Sequence, residues 1–148
     1  MEDDIGMMKM HRLDLETSRK VYQKLRRRIE PKLCYNNVFN IVSAYQVEFM
    51  DGKWKVSYGY VRTLPNVYCR HCFVLDVESG LVIDPTVIST GNPTEERDYY
   101  IMKTFDSLGD YISAIDKEHN LPALEHYLKD EDINACKLAL ENGLLFIG

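Results

Sequence analysis

The stretch VYCRHCFVLDVESGLVIDPTV, residues 67–87, decides the fold prediction. Two runs of apolar and β-branched residues flank a Ser-Gly turn signal, a pattern that is typical of a β-hairpin. Side chains alternate along a strand, so His71 and Phe73 are predicted on one face and Cys72 on the other. The hairpin therefore presents a histidine on a half-buried face.

The position of Asp84 relative to His71 depends on where this hairpin turns. With a three-residue turn at 78–80, Asp84 would lie opposite Val74 and face away from His71. With a four-residue loop at 76–79, Asp84 lies directly opposite His71. Four-residue loops are usually built on type I turns, which favour Asp at their start, and the apolar alternation also fits this register. The sequence favours the four-residue loop and leaves both registers open.

Outside the hairpin, apolar spacing predicts helices on either side of a sheet. A first helix follows Asp14, a good N-cap, and stops before Pro31, and a second helix opens near Cys34. Helices, then strands, then helices predict an α+β fold, with the N-terminal helices packed on a small antiparallel sheet. The predicted helices are 14–29, 34–50, 107–119, 122–129 and 131–142, and the further strands are 53–61 and 98–105, with an apolar tail at 144–147 docked on the core.

A chain of 148 residues is of the common size for one domain. We expect a flexible N-terminus over residues 1–12 and a single domain over residues 13–148. The net charge of −5 and the lack of a broad basic surface make nucleic acid an unlikely partner. No stretch is long and apolar enough to span a membrane, and the acidic N-terminus does not resemble a signal peptide. We therefore expect a cytoplasmic protein whose four cysteines are thiols.

Cys34 has the sequence context of a reactive thiol. It opens an apolar-faced helix shortly after a proline, and the helix dipole at an N-terminus favours a thiolate. A cysteine nucleophile also needs an imidazole to take its proton and a third group to orient that imidazole. His71 and Asp84 lie on the two strands of the hairpin and are of the right types for these roles.

The order of these residues resembles the transglutaminase-like branch of the papain-like cysteine enzymes. The resemblance covers residues 34–88 and rests on Cys34 at a helix start, His71 on one strand and Asp84-Pro85-Thr86 after the next. It implies that Cys34 is the nucleophile, His71 the general base and Asp84 the residue that orients the imidazole. Family members often have Gly shortly before the cysteine, where this chain has Lys32 and Leu33.

Four further residues are predicted to contact substrate. Family members often have Trp two residues after the histidine, and Phe73 at this place is expected to form a wall of the site. Tyr35 and Tyr58 are candidates for the same wall, although packing within the sheet is the favoured role for the tyrosines. Asn36 and its neighbour Asn37 are candidates to cap the helix, and a side-chain amide of one of them is alternatively a candidate to join the Cys34 N–H in an oxyanion hole.

The sequence Cys69-Arg-His-Cys72 also contains a CxxC motif, which is common in zinc sites. On a strand these two thiols point to opposite faces, and the chain has no second CxxC. We therefore predict no metal ligands and no cofactor.

The sequence predicts a cysteine-dependent hydrolase or acyltransferase. Its substrate would be an amide or thioester in a protein, a peptide or a small molecule, and the reaction would pass through a covalent acyl-enzyme. Water as the acceptor gives hydrolysis or deamidation, and an amine gives transfer. The alternative is a non-catalytic binding or inhibitory protein on a papain-like scaffold.

Overall fold

The structure is a computed structural model that describes residues 9–91, 96–121, 127 and 130–147. It confirms the α+β prediction, since helices lie before and after the central strands. The predicted helix 122–129 falls almost entirely outside the described residues. The helices are α1 (Leu15–Leu25), α2 (Cys34–Ala44), α3 (Gln46–Met50), α4 (Pro85–Ser89), α5 (Leu108–Glu118) and α6 (Asp130–Glu141), with a 3-10 turn at Arg26–Arg28.

The sheet is mixed rather than wholly antiparallel. The strands are β1 (Met10–Arg12), β2 (Trp54–Leu64), β3 (Val67–Asp76), β4 (Val82–Ile83), β5 (Asp98–Thr104) and β6 (Leu145–Ile147). Their order is β1-β5-β2-β3-β4, all antiparallel neighbours, and β6 pairs in parallel with the start of β3. The apolar tail predicted to dock on the core therefore forms a strand.

The ends of the N-terminal elements differ from prediction. Met10–Arg12 pairs with β5, so the prediction that residues 1–12 are flexible is wrong for these three. Asp14 caps α1 as predicted, accepting a hydrogen bond from the Thr17 backbone N–H. The helix ends at Leu25, however, and a break at Tyr45 divides the predicted second helix into α2 and α3.

The central hairpin turns in neither of the two predicted registers. Val74 pairs with Ile83, so the loop comprises residues 77–80, one position later than the favoured prediction. The Asp76 side chain accepts hydrogen bonds from the backbone N–H groups of Glu78 and Ser79 in the loop. Gly80 closes the loop with a φ of 72°. Only glycine adopts that conformation easily, which fixes the loop end at this residue.

The observed register still places Asp84 on the face of His71. Continuing the β3–β4 pairing by one step sets Asp84 opposite Phe73, diagonal to His71 and on the same face. The prediction that Asp84 lies directly opposite His71 is wrong by two positions along β3, whereas the predicted face is confirmed.

The two faces of the sheet carry separate cores. One face packs Tyr58, Cys72 and Val74 beneath α2. The opposite face buries Phe73 and Tyr99 together with residues from β4 and α4. His71 lies on this second face of β3, whereas α2 covers the first.

Two short strands share the outer edge of β3 and leave a gap between them. β6 pairs with Val67–Cys69, and β4 pairs with Val74 and Leu75. Within the described part of the chain, no strand pairs with residues 70–73 on this edge. Cys34, at the start of α2, meets His71 at this gap.

Candidate active site

Cys34 occupies the first position of α2. Leu33 is the N-cap residue and provides no capping side chain; the first helical hydrogen bond runs from the Asn37 N–H to the Leu33 carbonyl at 2.8 Å. Cys34 thus lies inside the helix, where its thiol meets the positive end of an eleven-residue helix. Its side chain is buried, with 8% of its surface exposed.

The loop that leads into Cys34 is fixed by Asn37. The Asn37 amide accepts from the Glu30 N–H at 3.0 Å and donates to the Glu30 carbonyl at 2.7 Å. It also donates to Thr86 Oγ1 at 2.8 Å, which joins α2 to α4. Asn37 therefore holds the thiol and the start of α4 in a fixed relation, a positioning role that the sequence does not predict.

His71 connects Cys34 with Asp84. Its Nε2 lies 2.7 Å from Asp84 Oδ2, and its ring also interacts with the Cys34 side chain. Because Asp84 occupies Nε2, Nδ1 is the ring nitrogen available to the thiol. The structure therefore brings together the three residues that the sequence predicts as a triad.

The surroundings of His71 favour its charged form. Burial acts to lower the pKa of the imidazole, but the charge of Asp84, its hydrogen bond and the contact with Cys34 together raise the pKa to about 10. Only 13% of the His71 side chain is exposed, so these interactions are weakly screened by water. At neutral pH an imidazolium stands between the carboxylate and the thiol.

Asp84 is held from three directions. Its Oδ2 accepts both the His71 contact and a 2.7 Å hydrogen bond from the Tyr99 hydroxyl. Its backbone N–H donates to Ser18 Oγ on α1 at 2.9 Å. Burial, followed by the charge and hydrogen bond of Asp84, raises the pKa of Tyr99, so this hydroxyl keeps its proton and acts as a donor. A buried carboxylate with fixed donors orients the imidazole firmly.

Gly59 allows β5 to approach closely enough for Tyr99 to reach Asp84. Gly59 lies opposite His71 on β2, and a Cβ there would lie 1.9 Å from the Tyr100 carbonyl oxygen. Glycine inside a strand often marks such a close approach, so the sequence contains this signal. The sequence contains no comparable signal for Tyr99 or Ser18, whose roles depend on the tertiary fold.

A cavity of about 550 Å³ opens onto the three residues. Its size is in the range of small-molecule and peptide sites. The cavity lies against the second face of the sheet, between β2, β3 and α4. Its lining consists of Lys32, Cys34, Val61, Thr63, Cys69, Arg70, His71, Asp84, Thr86, Val87, Thr90 and Arg97.

The four residues predicted to contact substrate do not line this cavity. Tyr58 is fully enclosed in the core beneath α2, and Tyr35 packs edge-on against its ring at 5.0 Å. Phe73 is enclosed in the other core and stacks behind His71 at 6.0 Å, where it supports the ring. Asn36 is exposed on α2. The predicted wall at Tyr58 and Phe73 is therefore wrong because both rings are buried.

The two thiols of the CxxC motif lie on opposite faces, as strand alternation predicts. Cys72 is buried in the core beneath α2, and Cys69 lines the cavity with its Sγ 3.5 Å from Thr63 Oγ1. Burial, together with the charges of Cys34 and Asp84, raises the pKa of Cys72, so this thiol is inert at neutral pH. Cys69 is the matched internal control for Cys34.

Comparison of the chain with known protein families, curated proteins and solved structures finds no significant match. Among the helices of the described residues, none combines the length and apolarity needed to cross a membrane.

Proposed function

We propose that this protein is a cysteine-dependent acyl-transfer enzyme that cleaves an amide or thioester through a covalent acyl-enzyme. The observation that supports this most strongly is His71, which is hydrogen-bonded to Asp84 and interacts with Cys34 at the same time inside an open cavity. A buried histidine with a merely structural role needs no thiol at a helix N-terminus as its second partner. Cys34, His71 and Asp84 are arranged as a nucleophile, a base and the group that orients the base.

The first step forms the acyl-enzyme. The imidazolium of His71 and the N-terminus of α2 both stabilise a thiolate at Cys34. The sulfur attacks the substrate carbonyl carbon, forming a C–S bond and an oxyanion. When the tetrahedral intermediate collapses, the bond to the amine or thiol leaving group breaks, and His71 gives its proton to that group.

The second step releases the acyl group. Neutral His71 now takes a proton from water or an acceptor amine, which attacks the thioester carbonyl. The C–S bond breaks and Cys34 leaves as a thiolate beside the re-formed imidazolium. The backbone N–H of Cys34, at the open end of α2, is the candidate donor to the oxyanion in both steps.

Asp84 and Tyr99 act on the reaction through His71. The carboxylate stabilises the imidazolium and fixes the ring so that Nδ1 faces the thiol. The Tyr99 hydroxyl fixes the carboxylate in turn. Tyr99 is thus a positioning residue, whereas Cys34 and His71 contact the reacting atoms.

Differential alkylation tests the proposal. Iodoacetamide at neutral pH should modify Cys34 much faster than Cys69, which shares the cavity but lies two residues from the imidazole along β3. His71→Ala should remove this difference, and Cys69→Ser should leave the Cys34 rate unchanged. Equal modification rates for all thiols in the folded protein would favour the non-catalytic scaffold instead.

A further inference from the structure

The charges that line the active-site cavity have one predominant sign. Lys32, Arg70 and Arg97 contribute cations, and Asp84 is the acidic residue among the described lining residues. The charge of Asp84 is engaged by His71 and by the Tyr99 hydroxyl. The whole chain carries a net charge of −5, so a basic surface is not the general condition of this protein.

Arg97 is held at the cavity by the backbone. It precedes β5, and its guanidinium donates to the Arg62 carbonyl at 3.3 Å. Arg97 is also near enough to Tyr99 for its charge to lower the pKa of that hydroxyl, against the larger opposite effects of burial and Asp84. Its positive field thus reaches the hydrogen-bonded network behind Cys34.

Lys32 carries a second cation of the cavity lining, two residues before Cys34. Its φ of 69° lies in the left-handed region, where glycine is favoured and a side chain is strained. A glycine would fit the backbone of this loop better, yet the position holds a long cationic side chain that lines the cavity. Strained non-glycine residues concentrate at functional sites.

We propose that the cavity selects acyl substrates that carry an anionic group, a carboxylate or a phosphate, which binds between Lys32 and Arg97. The inference rests on the proposed function and adds the substrate class. These two residues would determine specificity by attracting the anion, while Cys34 and His71 carry out the chemistry. Arginine and lysine are the side chains that proteins commonly use to bind both anions.

Two alkylating reagents of nearly equal size test the charge preference. Iodoacetate carries a carboxylate where iodoacetamide carries a neutral amide. The ratio of their rates at Cys34, divided by the same ratio for free glutathione, isolates the effect of reagent charge. Changes in thiolate content affect both reagents and cancel in this ratio.

The variants Lys32→Gln and Arg97→Gln should each lower the normalised ratio about threefold to fivefold, since each removes one partly screened charge near the reagent. Lys32→Glu should lower it further. Lys20→Gln removes the same charge from the exposed surface of α1 and should leave the ratio unchanged. Thermal unfolding of each variant checks that the fold is intact.

Competition identifies the anion. The rate at which iodoacetamide modifies Cys34 is measured with inorganic phosphate or with succinate, and each rate is compared with that in chloride at equal ionic strength. Slower modification by either anion in the unmodified sequence, lost in Arg97→Gln, supports the inference and shows which chemistry is preferred.

Two results would overturn the inference, and they differ in what they imply for the function. A normalised ratio that is the same in the unmodified sequence, Lys32→Gln and Arg97→Gln would refute anion selection and leave the proposed function standing. If Cys34 reacts no faster than the other cysteines with either reagent, the proposed function fails and the inference fails with it.

Discussion

Replacing Asp84 by Asn tests the electrostatic basis of the site, since it removes a negative charge and preserves the shape of the side chain. Asp84 supplies the two largest contributions that raise the pKa of His71, its charge and its hydrogen bond. With both weakened, burial dominates, and the pKa of His71 should fall below its ordinary value of 6.5. The difference between 6.5 and about 10 corresponds to a preference for the imidazolium of about 5 kcal/mol.

The consequence for Cys34 follows from the loss of the imidazolium. A thiol with an ordinary pKa of about 8.5 is about 3% thiolate at pH 7, so alkylation that no longer benefits from an adjacent cation can slow by up to about thirtyfold. We therefore expect Asp84→Asn to reduce the rate of iodoacetamide modification at Cys34 by about ten- to thirtyfold at pH 7. The reduction should shrink above pH 9, where an ordinary thiol ionises unaided.

The assay is a pH series of alkylation rates resolved by cysteine. Asp98→Asn is the matched control, because Asp98 is another largely buried carboxylate, paired with Arg12 at 2.7 Å and separate from Cys34. It should reduce stability and leave the Cys34 rate unchanged. A pH–rate profile in Asp84→Asn that overlays that of the unmodified sequence would refute the role assigned to the carboxylate.

Three further predictions concern the elements that position the triad. Gly59→Ala should destabilise the protein by about 3 kcal/mol, because the new Cβ would overlap the Tyr100 carbonyl. The control Gly109→Ala in α5, where the nearest atom is 3.7 Å away, should not destabilise the protein. Equal denaturant midpoints for the two variants would contradict this prediction. Tyr99→Phe should lower the free energy of unfolding by about 1–3 kcal/mol, because it removes a donor to a buried carboxylate. It should change the rate of Cys34 alkylation far less than Asp84→Asn does. An unchanged free energy of unfolding would argue against the Tyr99–Asp84 hydrogen bond. The stability difference between the unmodified sequence and His71→Gln should be greatest below pH 6.5 and decrease as the pH rises towards 10. The reason is that a pKa raised on folding stabilises the protein only while the folded state holds the extra proton. A stability difference that grows with pH would contradict this prediction.

Local patterns predicted the elements that carry the triad. The N-cap at Asp14, the helix start at Cys34 and the alternation along β3 are short-range features, and the structure agrees with each. The face shared by His71 and Asp84 follows from this alternation combined with a four-residue loop. These features depend on residues within a few positions of one another.

The hairpin register shows where local patterns were insufficient. The predicted loop started at Asp76, and Asp76 does initiate the turn through its side chain. The loop nevertheless closes on Gly80, whose positive φ places the four-residue loop one position later than predicted. Choosing between these registers required knowing which turn residue adopts the left-handed conformation.

The cavity lining could not be predicted because it depends on how distant segments pack. Tyr58 and Phe73 occupy strand positions near His71, and only the burial of both sheet faces shows that they are inaccessible. Tyr99 and Arg97 enter the site because β5 pairs with β2, a contact between segments about forty residues apart. Sequence spacing contains no information about that pairing.

The most direct measurement of the central claim is intact-protein mass spectrometry after brief exposure to an activated acyl ester or thioester. The proposed function predicts a transient mass increase of one acyl group, located at Cys34, present in Cys69→Ser and absent in both Cys34→Ser and His71→Ala. An adduct that persists in Cys34→Ser, or one whose formation is unaffected by His71→Ala, would contradict the claim that Cys34 and His71 form an acyl-transfer site.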